Sequence, residues 1–179
     1  MKILETERLI LRHLTPDDYD ALLAALSDPI AMKFYPQPFD EEKTRDWIQW
    51  SLENYEKREF GLWAVVLKAT GECIGDCGLT VQLIDGIGEI EVGYHLQRKH
   101  WKQGYATEGA RACRNHLFDA LRKDRLVSWT RPENVPSRRV MERIGLAFEK
   151  ESPDRYGTKQ VVYSMSRAQY EVVKREERS

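Results

Sequence analysis

The residues between positions 91 and 109 have types and an order that suit the binding of a phosphate group. An alternating strand pattern leads into the segment, with the apolar residues Ile90, Val92, Tyr94 and Leu96. A basic stretch follows, and Gly104 then opens an amphipathic helix. The free backbone N–H groups at a helix start, with the positive end of the helix dipole, bind phosphate or pyrophosphate. Because Gly104 and Ala106 carry little or no side chain, a phosphorylated ligand can approach the backbone closely.

The glycine pattern of this turn excludes two common nucleotide-binding motifs. A dinucleotide fingerprint needs three spaced glycines, and only Gly104 and Gly109 follow the strand here. A triphosphate-binding loop ends in Gly-Lys-Ser/Thr, which this turn lacks.

The helix that follows the turn has an apolar stripe of Ala106, Ala110, Cys113, Leu117 and Leu121. We expect the polar residues off this stripe to be solvated: Arg111, Arg114, Asn115 and Arg122.

Around this unit, the chain alternates hairpin-forming strands with helices, which predicts an α+β sheet with helices on its faces. Predicted strands cover about 7–13, 62–67, 73–81, the segment carrying Glu91, 126–131, 147–150 and 159–167. Further helices are predicted at about 16–27, 41–57 and 136–144. Gly71 supplies the turn of the first hairpin, Gly145 ends the last helix, and a charged tail begins at about Lys174.

The composition is that of an ordinary globular protein and predicts a single domain. The 179 residues are 41% hydrophobic and 32% charged, with a net charge of −1. This charge gives no field that attracts nucleic acid or an anionic membrane, so neither is an expected partner. The longest apolar run, Leu62 to Leu67, is too short to cross a bilayer, and the start of the chain lacks a signal-peptide core. We therefore expect a cytoplasmic location.

The cysteines and histidines predict neither a disulfide nor a metal site. Cys73 and Cys77 stand four apart in one predicted strand, which separates them by about 13 Å. Cys113 falls on the apolar helix stripe and is expected in the core. The four histidines are scattered through the chain, at His13, His95, His100 and His116.

Four stretches resemble the GNAT acetyltransferases, in the variant typical of the RimJ/RimL-type branch. Residues 101–108, Trp-Lys-Gln-Gly-Tyr-Ala-Thr-Glu, resemble the cofactor loop of that superfamily. Residues 6–12 resemble its first strand, and residues 15–18 its first helix start. Residues 134–146 resemble the second cofactor-side motif. The match covers nearly the whole chain in the family's order.

This resemblance implies a single GNAT-like domain over residues 1–179, with a mixed, mostly antiparallel sheet and helices on both faces. A splayed parallel pair of strands would bind acetyl-CoA, whose pantetheine arm meets the backbone of Tyr94, His95 and Leu96. The pyrophosphate would meet the turn, at Lys102, Gln103, Gly104, Tyr105, Ala106 and Thr107. Asn134 would contact the pantetheine amides, although Asn before Val135-Pro136 is also a favoured helix cap.

The resemblance also implies direct transfer of an acetyl group to a primary amine in a ternary complex. Glu91 is the first candidate for the base, and a solvated or cross-strand-paired carboxylate is its alternative interpretation. Glu89 and His95 share its strand face and are reserves. Ser137 would lie near the cofactor sulfur and supply a proton, or else it is a surface residue of the helix. Met141 stands where many relatives carry a tyrosine acid.

The acceptor is the least defined part of the prediction. By resemblance, the first two helices and the loop Met32 to Pro36 shape the acceptor site. Tyr35, Trp47, Trp50 and Trp63 either line it or belong to the core. A protein N-terminus, a polyamine, an aminoglycoside or an amino-acid-like amine would each fit, and the candidate carboxylates for a polycation are Asp40, Glu41, Glu42 and Glu53. A non-catalytic acyl-CoA-binding module is the alternative function, and a homodimer is possible by resemblance.

Overall fold

The computed structural model describes residues 1–178 and divides the chain into two compact units. The first unit contains residues 1–80 and 93–113, and the second contains residues 81–92 and the chain from residue 114 onward. Strands β4 (Cys73–Ile84) and β5 (Ile87–Leu96) run from one unit into the other. The single-domain organisation therefore stays a prediction, and each unit is described by itself.

The first unit is built on strands in the order β1-β2-β3-β4-β5. Besides β4 and β5, these are β1 (Lys2–Glu5), β2 (Leu9–His13) and β3 (Leu62–Leu67). β1 pairs with β2, β2 with β3 and β3 with β4, and each of these pairs is antiparallel. Helices α1 (Tyr19–Leu26) and α2 (Glu41–Arg58) lie between β2 and β3 in the chain, and α3 (Tyr105–Asp119) begins in this unit. The predicted hairpin turn is confirmed, since Gly71 has φ +74° between β3 and β4.

The helices of the first unit pack on the sheet through a continuous apolar cluster. The cluster contains Leu14, Leu22, Leu26, Met32, Phe39, Ile48, Ala64 and Val66. Asp40 fixes the start of α2, because its Oδ1 accepts a hydrogen bond of 2.8 Å from the Lys43 N–H. In α1 the buried residues Leu22, Ala25 and Leu26 lie three and four positions apart, which places them on one face of the helix.

The second unit contains β6 (Arg125–Thr130), α4 (Val135–Arg143), β7 (Ala147–Pro153), β8 (Lys159–Ser166) and α5 (Arg167–Glu176). Its strand order is β4-β5-β6-β8-β7. β5 and β6 are parallel, with Glu91 opposite Val127, whereas β8 is antiparallel to both β6 and β7. The predicted α+β fold with a mixed sheet and one parallel pair is confirmed for the described residues.

Two predictions in the second unit are wrong, and one packing arrangement explains both. The residues around Lys174 are not a tail, since Ser166 caps helix α5 and Tyr170 is fully buried against Phe118. Arg114 is not solvated but fully buried. Its guanidinium donates 2.6 Å and 2.7 Å hydrogen bonds to the Ile144 carbonyl and the Glu177 carboxylate. These partners satisfy a charge that burial alone would penalise.

The remaining differences are one additional strand and the ends of other elements. β1 was not predicted, β4 extends to Ile84 and β7 extends to Pro153. Among residues 1–178, no helix is both long and apolar enough to span a membrane, and no three His, Cys, Asp or Glu side chains are grouped so as to hold a metal ion. The absence of a metal requirement and the cytoplasmic location stay predictions.

Candidate active site

The predicted phosphate-binding turn forms the start of α3 in the first unit. A short 3-10 turn at Arg98–His100 precedes it, and Gly104 adopts φ +85°. The Glu108 N–H donates a 3.0 Å hydrogen bond to the Gly104 carbonyl. The N–H groups of residues 105–107 therefore belong to the first turn of α3, ahead of the residue whose N–H makes this bond. They lie at the positive end of the helix dipole. This donor set fits a pyrophosphate.

Arg8 of the first predicted strand motif holds this turn in place. Its Nη1 donates a 2.9 Å hydrogen bond to the Gln103 carbonyl, and its Nε donates one of 2.7 Å to the Glu108 carboxylate. Thr6 Oγ1 donates a further 2.6 Å bond to Glu108. Burial alone would raise the pKa of Glu108, but the bonds from Thr6 and Arg8 lower it below its usual value. Residues 6–8 were predicted only as a strand, and their support of the turn was missed.

Trp101 and Lys102, the first two residues of the turn, have distinct structural roles. The Trp101 indole N–H donates a 2.8 Å hydrogen bond to the Leu96 carbonyl, which joins the end of β5 to the turn. Lys102 adopts φ +62°, in the left-handed region that favours glycine. The lysine therefore costs backbone strain that glycine avoids. A Cβ on Gly104 would lie 3.2 Å from Arg8 Nη2, so the space there is limited as well.

The second predicted cofactor motif begins helix α4 in the second unit. Asn134 Oδ1 accepts a 3.3 Å hydrogen bond from the Ser137 N–H, and its Nδ2 donates a 2.8 Å bond to Thr130 Oγ1. The helix-cap interpretation of Asn134 is therefore confirmed, and its contact with the cofactor stays a prediction. Met141 is buried, so the position of the family tyrosine belongs to the core here.

The two predicted strand carboxylates differ in their surroundings. Glu89 forms a 2.9 Å ion pair with Arg125. Glu91 is a buried side chain of the parallel pair, opposite Val127. The ion pair engages the Glu89 carboxylate with a residue of the neighbouring strand β6. Glu91 as the base and Ser137 as the proton donor stay predictions.

His95 joins a hydrogen-bonded network in the first unit that the sequence did not predict. Its Nδ1 lies 2.7 Å from Asp76 Oδ1, and its Nε2 lies 2.6 Å from the Tyr35 hydroxyl oxygen. The second carboxylate oxygen of Asp76 accepts a 2.8 Å hydrogen bond from the Trp47 indole N–H. We call these four residues, Tyr35, Trp47, Asp76 and His95, the Asp76–His95 network. It lies among aromatic rings, since Trp47 also contacts Phe39 and Trp50.

The structure separates the four aromatic candidates for the acceptor site. Tyr35 and Trp50 are 40% and 37% exposed, and Trp47 lies between Trp50 and His95. Trp63 is 1% exposed, so the core interpretation of this residue is confirmed. Trp63 lies in a buried strand, where a large ring packs against its neighbours. Tyr35 lies in a loop and has solvent on one side.

Three of the candidate carboxylates for a polycation have structural partners on α2. Asp40 caps the helix, Glu41 forms a 3.2 Å pair with Arg45, and Glu53 forms a 3.0 Å pair with Lys57. Such caps and surface pairs one helical turn apart support the helix itself. The described structure therefore supplies an aromatic surface near His95 rather than a row of uncommitted carboxylates.

Comparison with known proteins agrees with this geometry. The sequence model of the "Acetyltransferase (GNAT) domain" family matches residues 8–147. The "Uncharacterized N-acetyltransferase p20" of Bacillus licheniformis is 36% identical over 157 residues, covering 84% of each chain. A crystal structure of an acetyltransferase from Agrobacterium tumefaciens has a TM-score of 0.79 at 33% identity, over 90% of this chain and 92% of that one.

A more distant structure shares the fold of this chain. The RimL ribosomal L7/L12 α-N-protein acetyltransferase, in complex with coenzyme A, has a TM-score of 0.75 and 18% identity. It covers 93% of this chain and 98% of its own, and at this identity it shows the shared fold alone. The family model matches most of the chain. The N-acetyltransferase of Bacillus licheniformis is 36% identical over 84% of each chain. The chain therefore belongs to the GNAT acetyltransferase family and is an acetyltransferase.

Proposed function

We propose that the protein transfers the acetyl group of acetyl-CoA to a primary amine by direct attack in a ternary complex. The observation that carries the proposal is the turn at the start of α3, which offers backbone N–H groups to a pyrophosphate and is held by Arg8. Acetyl-CoA supplies an activated thioester, whose thiolate is a good leaving group because a thiol has a pKa of about 8.5.

The residues proposed for the cofactor follow the family resemblance. Residues 102–107 receive the pyrophosphate, and the backbone of residues 94–96 receives the pantetheine arm. For Asn134 and Ser137 we keep the predicted contacts with the pantetheine amides and the sulfur. Assignment to the RimJ/RimL-type branch rests on Trp101 and on the motif at residues 6–12.

For the acceptor we propose a protein N-terminus or a small primary alkylamine that also carries an aromatic ring. The exposed rings of Tyr35 and Trp50 favour an apolar or planar group beside the amine. A polyamine or aminoglycoside would need several accessible carboxylates, and three of the four candidates, Asp40, Glu41 and Glu53, serve helix α2. A peptide α-amine also has a pKa near 8, so it loses its proton more readily than a lysine amine near 10.4.

Release of free thiol from acetyl-CoA, followed with four amines, tests this proposal. The amines are the dipeptide alanyl-phenylalanine, tyramine, spermidine and kanamycin. We expect turnover with the dipeptide or tyramine, and at least tenfold lower kcat/KM with the two polycations. Tight binding of acetyl-CoA in calorimetry without turnover of any amine would instead favour the non-catalytic acyl-CoA-binding module.

A further inference from the structure

The Asp76–His95 network contains the parts of a proton acceptor. Asp76 is fully buried, and the side chain of His95 is 12% exposed. Both carboxylate oxygens of Asp76 are hydrogen-bonded, one to His95 and one to Trp47. Tyr35, which is 40% exposed, joins the other nitrogen of the imidazole to the surface. A buried acid, an imidazole and an exposed hydroxyl therefore form one chain of hydrogen bonds.

We propose that His95 is the general base of acetyl transfer, that Asp76 positions its imidazole, and that the Tyr35 hydroxyl carries the proton from the amine. This inference rests on the proposed function, because it names the group that activates the amine. It assigns the base to His95 and not to Glu91.

The hydrogen-bond partners determine which nitrogen of His95 can accept a proton. The Asp76 carboxylate only accepts hydrogen bonds, so the imidazole nitrogen beside it, Nδ1, carries hydrogen. Nε2 is then the acceptor, and the Tyr35 hydroxyl donates to it. When Nε2 takes up a proton, the imidazolium lies against the buried carboxylate, which stabilises the positive charge. Asp76 thus holds the tautomer that a general base requires.

The side chains that contact the His95 imidazole include one carboxylate and two aromatic rings. Asp76 of β4 contacts the imidazole directly, and the neutral rings of Tyr35 and Trp47 pack against it from the loop after α1 and from α2. The two competing carboxylates of β5 are less suited. Glu89 is paired with Arg125, and Glu91 is buried in the parallel pair. A group that accepts a proton from solvent-exposed substrate needs a path to it, and Tyr35 provides one.

Acetyl transfer removes two protons from the ammonium group of the substrate. One proton of the ammonium group moves to the Tyr35 oxygen while the Tyr35 hydroxyl proton moves to His95 Nε2, so that the amine is neutral and Tyr35 is unchanged. The amine nitrogen then forms a bond to the acetyl carbon, and the carbon–sulfur bond breaks. A second proton passes from that nitrogen to the departing thiolate, and His95 releases its proton to water.

Kinetics of His95→Gln and Tyr35→Phe, with the dipeptide or tyramine that the wild type acetylates, test the proposal. General-base catalysis typically contributes a factor of about 100 to 10,000. We expect His95→Gln to lower kcat at least about 100-fold and to abolish the acidic limb of the pH–rate profile. Tyr35→Phe keeps the ring but removes the hydroxyl, and we expect a loss of about tenfold in kcat. Calorimetry should give an unchanged Kd for acetyl-CoA in both variants.

Three further variants distinguish a base from a packing residue. Imidazole in the buffer should partly restore His95→Ala, with imidazole added to the wild type and to protein-free acetyl-CoA as blanks. Glu91→Gln should retain the acidic limb. His116→Gln removes a half-buried imidazole of α3 and should leave kcat within twofold. Tyr35→Phe lies at the surface and supplies the answer if His95 variants do not fold.

The outcomes separate this proposal from the proposed function. The assignment of His95 would be overturned, with the proposed function intact, by one result. In that result the wild type turns over, His95→Gln and Tyr35→Phe both have a kcat within threefold of the wild type, and the acidic limb is unchanged. Loss of the acidic limb in Glu91→Gln would transfer the role to that residue. A wild type that binds acetyl-CoA and acetylates no amine would overturn the proposed function and this inference together.

Discussion

The predicted phosphate-binding turn and the Asp76–His95 network lie in the same unit but are built in different ways. The turn occupies residues 101–108, and its main donors are backbone N–H groups at the start of one helix. The network takes its side chains from a loop, from α2, from β4 and from β5. Backbone donors tolerate changes of side chain, whereas the network depends on each residue. We therefore expect variants of the turn to change cofactor affinity and variants of the network to change kcat.

Among the variants of the turn and the network, Asp76→Asn should give the largest effect, a loss of kcat. The amide presents a donor to His95 and favours the tautomer with hydrogen on Nε2, which cannot accept a proton. We expect kcat to fall by about 100-fold, within the range for loss of a general base, with little change in the Kd for acetyl-CoA. Asp18→Asn is the matched control. It is a buried carboxylate of the same unit, paired with Arg12 at 2.7 Å, and should lower Tm without lowering kcat. Equal kcat in both variants would contradict the division of roles.

Gly104→Ala should give the largest effect on the turn. Its φ of +85° costs a residue with a Cβ about 1–2 kcal/mol, and the new Cβ also approaches Arg8. We expect the Kd for acetyl-CoA to rise about tenfold, the factor that corresponds to roughly 1.4 kcal/mol, with kcat at saturating acetyl-CoA preserved. Gly71→Ala has φ +74° and open space around it, and should lose stability without losing affinity. A preserved Kd in Gly104→Ala would contradict the role of the turn.

The ion pair between Arg8 and Glu108 predicts a smaller, pH-dependent effect. The pKa of Glu108 is lowered in the folded protein, so its charge stabilises the fold above its unfolded value near 4.5. That stabilisation is lost as the pH falls through the lower folded pKa. The melting temperatures of wild type and Glu108→Gln should differ most at neutral pH and draw together as the pH falls below 4.5. A constant difference in Tm across this range would contradict the prediction.

Lys102→Gly should give the smallest effect and separates strain from charge. Glycine relieves the left-handed conformation, which we expect to raise stability by up to about 1 kcal/mol after the entropy cost of glycine. Loss of the lysine charge should weaken acetyl-CoA binding about threefold or less, as for an exposed charge. Glu59→Gly, also left-handed at φ +62°, is the control for strain relief alone. A fall in Tm for Lys102→Gly would show that the side chain stabilises the turn.

The same comparison explains which features could be predicted from the sequence. The turn was predictable because its glycine, small residues and helix start are neighbours in the chain. The helix predicted at about 41–57 is confirmed as α2, and Asp40, which caps it, is likewise its neighbour in the chain. Asp76 was not singled out, because one carboxylate in the apolar run of β4 gives no local sign of its partners. Its contacts His95 and Trp47 lie 19 and 29 residues away.

Long-range partners also explain the errors in the second unit. Arg114 is buried because Ile144 and Glu177 satisfy it, and these lie 30 and 63 residues further along. Helix α5 is amphipathic, yet its basic and acidic residues are typical of a solvated tail. Lys174 instead pairs with Asp119 of α3. Burial of a charge depends on partners that sequence periodicity does not show.

Mass spectrometry of the reaction product tests the central claim most directly. The protein is incubated with acetyl-CoA labelled in the acetyl group, together with alanyl-phenylalanine or tyramine. We predict one labelled acetyl group on the amine nitrogen and one free thiol for each product formed, with Gly104→Ala needing more acetyl-CoA and His95→Gln forming little product at any concentration. Acetyl-CoA that binds and remains intact, with neither amine labelled, would contradict the account.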